Sequence, residues 1–173
     1  MSWNIMVYAE RKVDDGFEYV CCLHDNFKWY IDSEYFDNLP STTQFSPELL
    51  KLYDNKISCA RTIKAADFRA DASLLIDKSV EVKKTIWCAL GLPEYTDDEF
   101  EDVVNDRYDD EGNQNPNWNP LTFPVNKDLF NRLQEADFGV AKAYRIIGIL
   151  DALESMVGTE WDGDTYRLVF VRE

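Results

Sequence analysis

Histidine is nearly absent from this sequence: His24 stands alone, beside four cysteines and seven glycines, and each scarcity closes a class of chemistry. A structural zinc site needs C-x-x-C spacing or paired histidines, and neither is present. The glycines nowhere fall as G-x-G-x-x-G or G-x-x-x-x-G-K, so the usual backbone cradles for phosphate are missing. No G-x-S-x-G elbow occurs, and no serine or cysteine stands at a recognisable triad spacing from His24. No apolar run approaches the roughly 18 residues that cross a bilayer, and Met1-Ser2-Trp3-Asn4 opens without a basic stretch leading into an apolar one. These absences predict no cofactor, no metal, no catalytic residue and no membrane contact in a cytoplasmic protein, and they favour a binding role over an enzymatic one while leaving the enzyme question open.

Cys21 and Cys22 are adjacent, which points them to opposite faces of a strand, while Cys59 and Cys88 lie in apolar stretches. Buried free thiols in a reducing compartment are expected rather than disulfides. Cys22 and His24 share one strand face, the placement a thiolate pair requires. A buried thiol beside a strand-end histidine accounts for the same spacing and is preferred.

What the chain does have is apolar content and acid. Its 173 residues are 45% apolar and 14% aromatic, enough for one domain, residues 1–173, around one core. The net charge of −15 is unevenly spread: residues 51–90 carry +3, whereas residues 91–118 carry −9. Such a field repels nucleic-acid backbones and anionic lipid and attracts basic surfaces, so direct nucleic-acid binding is disfavoured.

Residues 3–12 and 17–23 alternate around Asp14-Asp15-Gly16, a β-hairpin signal. An irregular, aromatic-packed connection is expected over residues 24–47, then a short helix with Ser46 as N-cap and Pro47 at its first position, ended by Asn55. Apolar spacings of three and four predict an amphipathic helix over 67–90, stopped by Gly91 and Pro93, with Arg69, Lys78, Lys83 and Lys84 on its polar face. An acidic, mobile segment follows at about 94–119. A further helix begins near Lys127 after Asn126, with Gly139 as a possible break, and continues as the core helix to Val157, closed by Gly158. Residues 165–172 form a last strand, which needs an existing sheet to join. The fold class predicted is therefore α+β: a small antiparallel sheet of the N-terminal hairpin and the C-terminal strand, packed on two long helices.

The acidic segment presents Asp97, Asp98, Glu99, Glu101, Asp102, Asp106, Asp109, Asp110 and Glu111, with Trp118 at its edge. Clustered carboxylates bordered by an aromatic anchor suit a basic protein surface. The bland reading is a solvated loop. A calcium loop is a poor match, because Arg107 stands where an acid is required. Glu160, Asp162 and Asp164 around Gly163 resemble half a metal site, but Asp-Gly is first a turn signal. A second candidate is the basic group Arg61, Lys64, Arg69, Lys78, Lys83 and Lys84, which either pairs with the acidic segment or receives a small anion or nucleotide.

Ile5-Met6-Val7-Tyr8-Ala9-Glu10-Arg11-Lys12 followed by Asp15-Gly16-Phe17-Glu18-Tyr19-Val20 resembles the opening of small acidic proteins of phages and prophages, an apolar strand ending in Tyr-x-Glu-x-Lys/Arg and a turn into an aromatic strand. The resemblance covers about 20 residues and brings no catalytic residues. It implies an inhibitor that binds a host protein, such as an anti-CRISPR or other host-defence antagonist acting by nucleic-acid mimicry in the host cytoplasm. Three expectations result: foremost an acidic interaction module for a basic, nucleic-acid-binding partner; next a small-anion or nucleotide-sequestering protein using the basic face of helix 67–90; last a carboxylate-dependent metal enzyme.

Overall fold

Asp14 and Asp15 turn the chain between β1 (Ile5–Val13) and β2 (Gly16–His24), and Gly16, at φ +148°, takes a backbone conformation that other residues avoid. The computed structural model describes residues 4–89 and 127–173, which divide into two compact units: residues 4–75 with 141–173, and residues 76–89 with 127–140. After the hairpin come a 3-10 turn (Phe27–Trp29), α1 (Ser33–Asn38), α2 (Pro47–Leu52), β3 (Ala60–Lys64), α3 (Ala65–Ala89), α4 (Lys127–Val157) and β4 (Tyr166–Arg172). The fold is α+β, as expected. The acidic segment at 94–119 lies outside the described residues.

The first unit is built on a four-stranded antiparallel sheet in the order β2-β1-β4-β3. The last strand enters the middle of the sheet and pairs with β1 from Ile5↔Arg172 to Arg11↔Tyr166. Leu168, Val169, Phe170 and Val171 are all buried, so β4 is covered on both faces. On one face Phe170 meets Phe68 of α3 edge-on at 5.5 Å, and Phe27 packs on both rings. Ala143, Ile146, Leu150 and Leu153 of α4 are buried in the same unit. On the other face Tyr8, Leu49, Ala60, Val169 and Val171 form a second cluster, with Phe45, Tyr53 and Ile57 against it. That layer is held by α2, where Ser46 Oγ accepts from Leu49 N–H, a cap worth about 1 kcal/mol.

Several expectations are corrected. The connection at 24–47 is more ordered than its composition suggested: Asp32 accepts from Tyr35 N–H and so nucleates α1. Residues 60–64 form a strand, because β4 supplies the partner that no local pattern revealed. The long helix begins at Ala65, directly after β3, where the Gly163 carbonyl accepts from Ala66 N–H in place of a side-chain cap. Gly139 does not break α4, which continues to Val157, and Gly158 at φ +75° follows it. Phe138, Tyr144 and Met156 are exposed despite their place in the apolar pattern.

The second unit contains the end of α3 and the start of α4. Ile86, Trp87, Leu133 and Ala136 are buried there. Lys83, assigned to a solvated polar face, is 5% exposed. Its ammonium donates to Asp137 at 3.0 Å, which balances the charge that burial would otherwise leave uncompensated.

Candidate functional site

The cations put forward as an anion site are dispersed among separate partners. Lys64 pairs with Asp164 at 3.3 Å, and Arg69 reaches Asp151 at 2.7 Å and Glu154 at 3.2 Å. Lys83 holds Asp137. Arg61 lies over the Phe36 ring at 5.9 Å, with its Nε buried and without a hydrogen bond among the described residues. Lys84 is exposed. Arg61, Lys64 and Arg69 belong to the first unit, and Lys83 and Lys84 to the second. The acidic candidates Asp97 to Glu111 and Trp118 lie outside the described residues.

The other marked groups have structural occupations. Asp162 accepts from Asp164 N–H at 3.0 Å and from the Thr165 hydroxyl at 2.9 Å, so its carboxylate closes a turn and is held below the usual carboxylate range by those bonds. Cys22 contacts the carbonyl of His24, not its ring. Burial raises the pKa of both Cys21 and Cys22 and favours the thiol over the thiolate. The four cysteines are free, but none is fully buried: Cys22 and Cys88 are exposed and Cys21 and Cys59 half-buried, a correction to the buried thiols expected. Cys22 escapes burial because it lies on the outermost strand of the sheet.

Two arrangements were not anticipated. The first is a buried ion pair. Glu10 is fully buried on β1, and both its oxygens are used: Oε1 accepts from Ser46 N–H at 2.7 Å and Oε2 from Arg167 Nε and Nη2 at 3.0 and 2.7 Å. Arg167 also donates to the Gln44 carbonyl and stacks 3.2 Å over Phe17. Burial lowers the pKa of this guanidinium, and Glu10 offsets that effect. Opposite charges at the ends of the apolar runs of β1 and β4, Glu10 and Arg167, were the available signal. The pair joins three strands and the loop before α2, which is a structural task.

The second is a cleft of about 620 Å³ in the first unit, lined by Leu23 and His24 at the end of β2 and by Ala141, Tyr144, Arg145, Gly148, Ile149 and Ala152 of α4. β1 pairs Val7 with His24 and Tyr8 with Cys22, so Leu23 is an extra residue, a bulge. Adjacent strand residues normally face opposite ways, and the bulge lets Leu23 and His24 both line the cleft. His24 Nδ1 accepts from Asn26 N–H at 3.0 Å, which places the neutral ring's proton on Nε2. Tyr30 backs both polar groups: the His24 ring lies 5.3 Å from it and the Arg145 guanidinium 5.5 Å. Arg145 has no carboxylate partner among the described residues. Residues so distant in sequence gave no local signal of this site.

No helix among the described residues is long and apolar enough to cross a membrane. The chain matches no protein-family model, and no curated protein or solved structure shows significant similarity to it.

Proposed function

We propose that this protein is an acidic interaction module whose segment at about 94–119 engages a basic surface of a protein partner. The observation that carries this reading is the −9 charge of residues 91–118, beside cations of which two already hold acids of their own unit. Lys64 and Arg69, two of the six cations offered as internal partners for the segment, pair instead with Asp164 and with Asp151 and Glu154. The −9 of residues 91–118 is the kind of clustered charge that a basic partner surface would meet. The same pairings weigh against the basic face of helix 67–90 as a nucleotide site, and the turn role of Asp162 weighs against a carboxylate metal enzyme. The phage-like opening of the chain extends the reading to an inhibitor in a host cytoplasm that acts by nucleic-acid mimicry on a defence or other nucleic-acid-binding protein.

The test is affinity capture from host lysate at low and high salt, with the parent chain and a D97N/D98N/E101Q/D102N variant in parallel. A nucleic-acid-binding protein retained by the parent at low salt, released at high salt and not captured by the variant supports the reading. Equal capture by the two chains, or no salt-sensitive partner, overturns it.

A further inference from the structure

We infer that the cleft between the end of β2 and α4 is a binding site for a small planar organic monoanion, an aromatic carboxylate. Its polar groups are donors. Arg145 presents a guanidinium held by the face of Tyr30 and not by a carboxylate among the described residues. His24 has its Nδ1 committed to Asn26 N–H, so Nε2–H is the free donor, and the side chain is 22% exposed and thus within reach of a ligand. Asp25, 3.9 Å from Nδ1, stands toward the nitrogen already occupied. One cation and one neutral donor match a single carboxylate. A di- or triphosphate would meet too few cations here, in a chain of net charge −15.

In the rest of the cleft, apart from the Tyr144 phenol, the described lining is apolar. Leu23, Ala141, Ile149 and Ala152 line it, and Gly148 falls one turn beyond Arg145 and Tyr144 on the same helix. Glycine weakens a helix interior relative to alanine, so it calls for a reason. Packing does not supply one, because a Cβ placed on Gly148 meets nothing within 4 Å. The open space above it is floor for a flat group, with Arg145 at one end to take the carboxylate. The bulge at Leu23 is the matching device on β2, since without it Leu23 and His24 would face opposite ways. A volume of about 620 Å³ is within the range of small-molecule sites. None of these residues belongs to the acidic segment, so this site stands or falls independently of the function proposed above.

His24 is the sole histidine, and its imidazole signals in a heteronuclear NMR spectrum of the full chain need no assignment by mutation. Benzoate and indole-3-acetate are titrated at constant pH and ionic strength, with benzyl alcohol and inorganic phosphate as comparisons. Saturable movement of the His24 signals is expected with the two carboxylates and not with the alcohol or phosphate. R145Q should weaken carboxylate binding about tenfold or more, as loss of a charge-assisted bond does. G148L should abolish it while leaving the fold intact, since the added side chain enters open space. Absence of saturable movement with both carboxylates, equal movement with benzyl alcohol or phosphate, or unchanged binding by R145Q would overturn the assignment.

Discussion

Glu10 and Arg167 face each other as register partners on β1 and β4, joined at 2.7 Å with the carboxylate wholly out of solvent and the guanidinium nearly so. A buried pair of this kind adds little net stability when intact, but removing one member strands the other. E10M or R167M alone should cost about 3–5 kcal/mol, whereas the double variant E10M/R167M should cost well under the sum of the singles. Denaturant midpoints of the four proteins measure this cycle. Single substitutions costing under about 1 kcal/mol would mean that water reaches the pair.

Alkaline pH should weaken the fold through its tyrosines. Tyr8 and Tyr53 share a hydroxyl hydrogen bond of 2.8 Å, and Tyr35 donates to Asp71. Burial, the largest cause, raises the pKa of all three, and Tyr8 and Glu173 push Tyr53 up further. Above the ordinary tyrosine value of about 10, the unfolded chain releases protons that the folded chain keeps, so stability falls with rising pH. It should be complete below that value and decline above it. Tyrosinate absorbance should rise in two stages, the later one coincident with unfolding, and Y53F should reduce the alkaline loss. A single stage centred near 10 with the fold intact would refute this.

The Cys22 thiol should be accessible yet sluggish. Cys22 is accessible, but burial of its sulfur region raises its pKa, and among the described residues no imidazole or cation activates it. Alkylation at neutral pH should be slower than for a small-molecule thiol and should accelerate steeply toward alkaline pH. About four free thiols should be counted after denaturation without reductant. Rapid, pH-independent modification of Cys22 would indicate a thiolate and revive the Cys22–His24 pair.

Against a verified partner, neutralising Asp97, Asp98, Glu101 and Asp102 should act mainly on association. Clustered charge steers encounter over about one Debye length, roughly 8 Å at physiological salt, while rim charges add little to the formed complex. W118A should instead speed dissociation, because an aromatic anchor contributes contact area. Kinetic traces at several salt concentrations separate the two effects. If the fourfold variant associates as fast as the parent at every salt concentration, the segment does not steer.

What could be read from the sequence was what neighbouring residues decide. Asp14-Asp15-Gly16 announced the hairpin, Ser46-Pro47 the start of α2, and Gly158 the end of α4, because turns and caps are local chemistry. β3 was not legible: five residues with no turn before α3 become a strand only because β4 lies beside them. Lys83 was misplaced for a similar reason, since helical spacing counts a lysine as polar and cannot register its pairing with a half-exposed aspartate on another helix. His24 and Arg145 meet at one cleft through a bulge and a helix register, neither of which leaves a pattern along the chain.

The position of β4 has a consequence for biosynthesis. The strand that separates β1 from β3 is the latest of the sheet's members to be translated. Until then the nascent hairpin exposes the edge of β1, and residues 60–64 lack a hydrogen-bonding template. A message interrupted before Tyr166 would therefore yield a product with an open, apolar sheet edge, a substrate for chaperones and proteases, whereas β4, once present, pairs that edge.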